Sequence, residues 1–145
     1  MTVTGWIHSH PQLGAEFDWL GCDSAGSVAY FSTAGAGPIP AGILAEPVYP
    51  DDVLQMVLAL PTSSEVATAS VAYPKDWENA SRRGLYAYDW SHRSRAYELR
   101  ARPATPLLID QLGPNGIADV ARRVRLMLLF AAVDAISPET VDTSA

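Results

Sequence analysis

The chain has 145 residues, 48% hydrophobic and 18% charged, with a formal net charge of −6. This composition excludes a disordered chain, and a domain of this size buries roughly 70% of its unfolded surface without staples. One cysteine, Cys22, excludes an internal disulfide framework and fits a reducing compartment, so a cytoplasmic protein is expected.

Residues 1–20 hold no Lys or Arg and no long apolar run, so no secretory signal is expected there. Residues 16–34 read as a hairpin: "EFDWLGCD" and "SVAYFSTA" are rich in aromatic and β-branched residues, and "SAG" between them supplies a turn. "GAGPIPAG" follows as a loop, because Pro38 and Pro40 disfavour a regular strand or helix. Pro50, Asp51 and Asp52 open a helix, proline suiting the first turn and the carboxylates the positive end of the dipole. Val53, Leu54, Met56, Val57, Leu58 and Leu60 make that helix apolar nearly all round, so deep packing is expected before it stops at Pro61. Residues 62–73 fit either a short helix capped at Ser63 or Ser64, or a strand through "ATASVAY".

Residues 74–84 predict a second helix, started by Pro74, with Asp76 and Glu78 in its first turns, Arg82 and Arg83 in its last turn, and Gly84 as the left-handed closing residue. "LYAYDW" (85–90) is a strand with Tyr86, Tyr88 and Trp90 on one face. "SHRSR" turns the chain into "AYELRAR" (96–102), where strict alternation places Tyr97, Leu99 and Ala101 on a buried face and Glu98, Arg100 and Arg102 on a wet one. "TPLLID" (105–110) reads as a short strand, and Ile117, Val120 and Val124 mark a helical face from Gly116. "LMLLFAAVDAIS" either extends that helix or forms a closing strand. Its apolar core, residues 126–133, is too short to span a membrane, which takes about 20 residues. The whole reads as α+β: a single domain over residues 1–137 with a largely antiparallel sheet and two to four helices, and a frayed tail over residues 138–145.

The charges are segregated. Residues 1–74 carry no base and seven acids: Glu16, Asp18, Asp23, Glu46, Asp51, Asp52 and Glu65. All ten bases lie between Lys75 and Arg125. A base-free, acidic first half repels nucleic acid and anionic membranes and attracts basic partners. The arginines near Tyr86, Tyr88 and Trp90 imitate an RNA-binding face, but rings on one strand face more often build a core.

The sequence offers little chemistry. "GWIHSHP" (5–11) resembles the zinc signature of JAMM/MPN metalloproteases, whose second histidine is followed eleven residues on by aspartate and eight residues on by serine. Here those positions hold Gly21 and Asp18, and only seven residues precede His8 where the family needs an upstream glutamate, so no metal site is expected. His92 is isolated in sequence and would need the fold to bring it near. Cys22 sits among acids, which disfavours a thiolate. There is no G-x-S-x-G elbow, and "STAGAGPIP" has no lysine for a phosphate loop. Asp51 and Asp52 suit a helix start; Asp18 and Asp23 bracket a turn. No catalytic residue and no cofactor is expected.

"FDWLGCDSAGSVAYFSTAGAGPIP" (17–40), "RGLYAYDW" (83–90) and "YELRARPATPLL" (97–108) resemble small bacterial proteins, some of which sit beside polymorphic toxins and are regarded as immunity proteins. The resemblance covers about a third of the chain and rests on turns and core strands. It implies a non-catalytic inhibitor that occludes the active site of a cognate toxin, a protein partner with a basic surface. Glu16, Asp18, Asp23, Asp51 and Asp52 are the expected partner-binding residues, and Trp19 or Trp77 would serve as anchors if exposed. The alternatives are a small-molecule or regulatory module using the Tyr86, Tyr88 and Trp90 face, and a hydrolase whose site is assembled from distant residues.

Overall fold

In the computed structural model, which describes residues 5–8, 17–45, 47–69, 75–113 and 116–144, the expected first hairpin forms from β2 (Asp18–Cys22) and β3 (Val28–Ser32). It is antiparallel, with Trp19 opposite Phe31 and Leu20 opposite Tyr30. Ahead of it, β1 (Trp6–Ile7) pairs with β4 (Ile39–Pro40). The expected loop around Pro38 and Pro40 therefore contains a short strand. Proline is tolerated because the two-stranded ribbon leaves an edge with no ladder donor required.

Helix α1 (Val53–Leu58) follows Asp52, and β5 (Val66–Ala69) makes part of the ambiguous segment a strand; residues 70–73 lie outside the described residues. Only Val53 and Val57 of α1 are buried, so the helix packs by one stripe and its other apolar residues stay half-covered. Helix α2 (Asp76–Ser81) ends in a Schellman closure: Leu85 N–H donates to Ala80 O and Gly84 N–H to Ser81 O. Gly84 has φ +91° there, as expected. Pro74 lies outside the described residues, and Arg82 and Arg83 follow the helix instead of completing it.

Strand β6 (Tyr86–Ser91) turns into β7 (Ala96–Pro103), and together with β3 they form the centre of the sheet. The alternation expected for β7 holds only to Leu99. A bulge shifts the register, so that Tyr88 faces Leu99 but Ala87 faces Ala101. The extra residue, Arg100, exchanges the faces of the residues beyond it. Ala101 joins Ala87 in the core, and Arg102 passes to the ring face, its guanidinium 5.6 Å from the Tyr86 ring centre.

"TPLLID" is not a strand. Leu108 makes a single bridge to Ser27 and a 3₁₀ turn covers Ile109–Leu112, closed by Gln111 Oε1 accepting from Leu108 N–H. Helix α3 (Gly116–Arg122) then stops, so the next segment does not extend it, and the expected closing strand appears only as two short pieces. The segment is divided into β8 (Arg125–Leu126), a 3₁₀ turn at Phe130–Ala132 and β9 (Ala135–Ile136). The expected frayed tail includes β10 (Thr143–Ser144), which pairs with β8, and Trp6 Nε1–H donates to Val141 O at 2.8 Å.

The result is a single α+β domain with three α-helices among the described residues and a mostly antiparallel sheet. The sheet runs β10-β8-β2-β3-β6-β7-β5, with β9 sharing the outer edge of β7. β3–β6 and β2–β8 are its parallel pairs. The ring face is core: Trp19 stacks on Phe31 at 3.9 Å, Phe31 on Tyr88 at 5.3 Å, and Tyr97 and Phe130 close over them. Among the described residues no helix is long and apolar enough to cross a membrane.

Candidate functional site

The five expected partner-binding acids do not share one environment. Glu16 lies outside the described residues. Asp18 opens β2 and Asp23 follows its end, so the strand alone separates them by about 17 Å.

Asp23 is corrected outright. It is 1% exposed, and its carboxylate is consumed internally. Oδ1 accepts from Ala25 N–H at 3.0 Å and Ser27 N–H at 2.9 Å, which closes the hairpin turn, while Oδ2 accepts from Phe130 N–H at 2.8 Å. An aspartate shortly before a glycine promises the turn; the bond to Phe130 has no local signal. Asp23 is a structural tie and not a docking residue.

Asp18 belongs to a cross-strand row. The register places Asp18 beside Ser32, Ser32 beside Asp89 and Asp89 beside Glu98, on the face opposite the rings. Tyr30 Oη donates to Asp18 Oδ2 at 2.7 Å. The bulged Arg100 supplies the local cation, with Nη2 3.3 Å from Glu98 Oε1 and Nε 3.9 Å from Asp89 Oδ2, and its guanidinium lies 5.7 Å from the Trp77 ring centre. Burial pushes the Asp89 carboxyl above its ordinary range; Arg100 opposes this, and Glu98 and Asp18 add to it. Burial, with Asp18 alongside, likewise raises the Tyr30 phenol. No local signal announces this row, because the parallel β3–β6 pairing, which brings Asp89 to Ser32, joins segments far apart in the chain.

Asp51 and Asp52 are exposed, and neither forms an ion pair among the described residues. The loop just before them is held from outside. Arg123, immediately after α3, donates from Nη2 to Pro47 O at 2.7 Å and from Nη1 to Ala45 O at 3.2 Å. Its guanidinium stacks 5.2 Å from the Tyr49 ring centre, and Tyr49 Oη accepts from Leu20 N–H at 3.0 Å. This strap presents Leu44, 39% exposed, and Val48, 81% exposed, beside Asp51 and Asp52. Val48 is the most exposed large apolar side chain among the described residues, ahead of Met127, Leu129 and Leu108. The sequence showed the acids; it did not show that Arg123 pins the loop carrying them.

The remaining expectations resolve by burial. Trp19 and Trp77 are core residues and cannot anchor a partner. Tyr86 and Tyr88 are buried under Phe130, whereas Trp90, the third ring of that face, is half-buried and lines a surface cleft. Burial pushes the Cys22 thiol up, Arg125 opposing, and the sulfur donates weakly to Val124 O at 3.5 Å; a protonated, buried thiol is a poor nucleophile. His8 and His92, distant in sequence, line one surface cleft. Among the described residues no group of three or more His, Cys, Asp or Glu side chains is placed to hold a metal ion, and His10 lies outside those residues.

No known protein family, curated protein or solved structure matches the chain.

Proposed function

We propose that this chain acts by binding another protein, without chemistry of its own, as an immunity-type inhibitor that covers the active site of a cognate bacterial toxin. The observation that carries the reading is the strapped loop before α1. It carries Val48, 81% exposed, three residues before Asp51 and four before Asp52, whose carboxylates form no ion pair among the described residues. Apolar contact supplies affinity at the centre of such a surface, and the carboxylates steer a basic partner towards it. A loop already fixed by Arg123 loses little freedom on docking, which favours tight association.

The net charge of −6 and the base-free first half point the same way, against nucleic acid or an anionic membrane as partner. The resemblance of residues 17–40 and 83–108 to immunity-type proteins supports the toxin as that partner. A cytoplasmic site of action fits the lone reduced cysteine.

The first test is whether a toxin-like protein is encoded beside this chain, and the second is co-expression with that protein; the lack of any such neighbour counts against the reading. The wild-type chain should restore growth and bind the toxin with an affinity that falls as salt rises. The double variant Asp51→Lys, Asp52→Lys should slow association by about tenfold or more, and Val48→Asp should weaken the complex through faster release. Rescue and binding unchanged in all of these variants would remove this loop as the interface; no rescue by the wild type would remove the immunity reading itself.

A further inference from the structure

We propose that the surface cleft between the β6–β7 turn and the turn at 138–140 binds a small, singly protonated oxyanion: hydrogen phosphate or the phosphoryl group of a monoester. The cleft is built from separate parts of the chain. His8 arrives from the end of β1, His92 and Arg95 from the turn between β6 and β7, and Glu139 from the turn that leads to β10. Trp90 and the buried Pro138 form its walls. Its volume of about 160 Å³ compares with about 10–15 Å³, on the same measure, for the smallest cavity that holds one water. That is space for a few heavy atoms, and too little for a nucleotide, which needs a pocket of about 300 Å³ or more.

The polar groups there are not occupied with one another. Among the described residues the side chains of His8, His92, Arg95 and Glu139 form no ion pair within 4.0 Å. Trp90 Nε1 is buried and has no hydrogen-bond acceptor. Buried indole N–H groups ordinarily find one, so this ring is held by packing and not by a protein acceptor. Arg95 adds a backbone observation. Its φ is +56°, in the left-handed region that the turn would fill more comfortably with glycine or asparagine. A strained arginine at the mouth of a polar cleft points to a use for its side chain.

The donor set defines the ligand. A guanidinium offers a planar fork that fits two oxygens of a tetrahedral anion, and imidazole N–H groups add single bonds. Glu139 supplies the selectivity. A carboxylate can only accept, so it repels a fully ionised anion and welcomes one that still carries a proton. Hydrogen phosphate has that proton at neutral pH and sulfate does not. The same rule admits a phosphomonoester in its singly protonated form.

The full-length chain should be titrated with inorganic phosphate, phosphoserine and sulfate, followed by calorimetry and by backbone amide shifts of the β6–β7 turn. Saturable phosphate or phosphoserine binding is expected, with sulfate about tenfold weaker or more. Binding of phosphoserine with phosphate excluded would identify an esterified ligand, and the reverse a free ion. Arg95→Gly separates binding from folding: it should keep or raise the thermal midpoint, because glycine relieves the positive φ, yet weaken phosphate by about tenfold. His92→Ala should weaken it similarly, and Glu139→Gln should let sulfate bind as well as phosphate. Equal binding of sulfate to the wild type, no saturation by phosphate or phosphoserine up to tens of millimolar, or full affinity in Arg95→Gly would each overturn the assignment.

Discussion

Arg123→Ala tests whether the docking loop is held from outside or stands by its own turns. The guanidinium makes one short bond to Pro47 O at 2.7 Å, a longer one to Ala45 O at 3.2 Å, and a stack 5.2 Å from the Tyr49 ring centre. A hydrogen bond to a charged donor is worth about 1.5–3 kcal/mol when sheltered, and the exposed setting here puts the short bond at the low end, ~1–1.5 kcal/mol. The longer bond adds about half of that, and an accessible cation–π contact adds ~0.5–1 kcal/mol. The expected loss is therefore ~2–3 kcal/mol. With a urea slope of about 1–3 kcal/mol per molar, the midpoint should fall by on the order of 1–2 M. Arg123→Lys keeps the charge and one bond but not the planar fork, so it should lie between the two. Hydrogen exchange over residues 44–50 should accelerate in the alanine variant, and toxin affinity should fall although Arg123 need not touch the toxin. If the variant unfolds within ~0.5 kcal/mol of wild type and loop exchange is unchanged, the strap is ornamental and the preorganisation argument fails.

Gly84→Ala should cost at least ~1 kcal/mol more than Gly113→Ala in chemical denaturation: both glycines have positive φ, but an added Cβ at Gly84 would sit 2.7 Å from Leu107 Cβ, whereas Gly113 meets nothing within 4 Å. Equal costs would mean that Leu107 moves aside freely. Asp23→Asn replaces an acceptor by an amide donor facing Ala25, Ser27 or Phe130 N–H, so a loss of ~2–4 kcal/mol is expected, and a loss under ~1 kcal/mol would show the tie to be unimportant. Asp89→Asn tests the carboxylate row. Burial raises Asp89 above its ordinary value of 3.8, so the folded state holds this proton to higher pH than the unfolded chain does. The stability that Asp89 contributes is fully present below pH 3.8 and is lost as pH rises through its folded value, and asparagine has no such loss. The melting temperature of the variant relative to wild type should thus be more favourable at about pH 7 than at about pH 3; the opposite trend would show that Arg100 outweighs burial.

Local chemistry made part of this fold legible from the chain alone. Helix α2 closes at Gly84 because a left-handed residue must accept the last turn, and a glycine there announces it. The β2–β3 hairpin is announced by two aromatic runs around "DSAG", and β6 and β7 by their period of two. Each of these signals lies within a short stretch of chain, where turn preference and periodicity act without knowledge of the rest. The charge asymmetry is legible too, because net charge needs no coordinates.

Contacts between distant segments decided the remainder. The bulge at Arg100 arises where β6 and β7 must share a register, and it moves Arg102 to the ring face against the reading of strict alternation. Residues 125–136 contain enough leucine for a helix, yet β8 is taken between β10 and β2 and β9 pairs with β7, and strand pairing outweighs helical propensity over so few residues. Asp23 looked available until Phe130 took its second oxygen; nothing local announces that Arg123 grips Pro47, or that His8 and His92 line one cleft. A side chain's own preference is worth tenths of a kcal/mol, whereas burying or pairing a charged group is worth several, so packing chooses which acids remain on the surface for a partner.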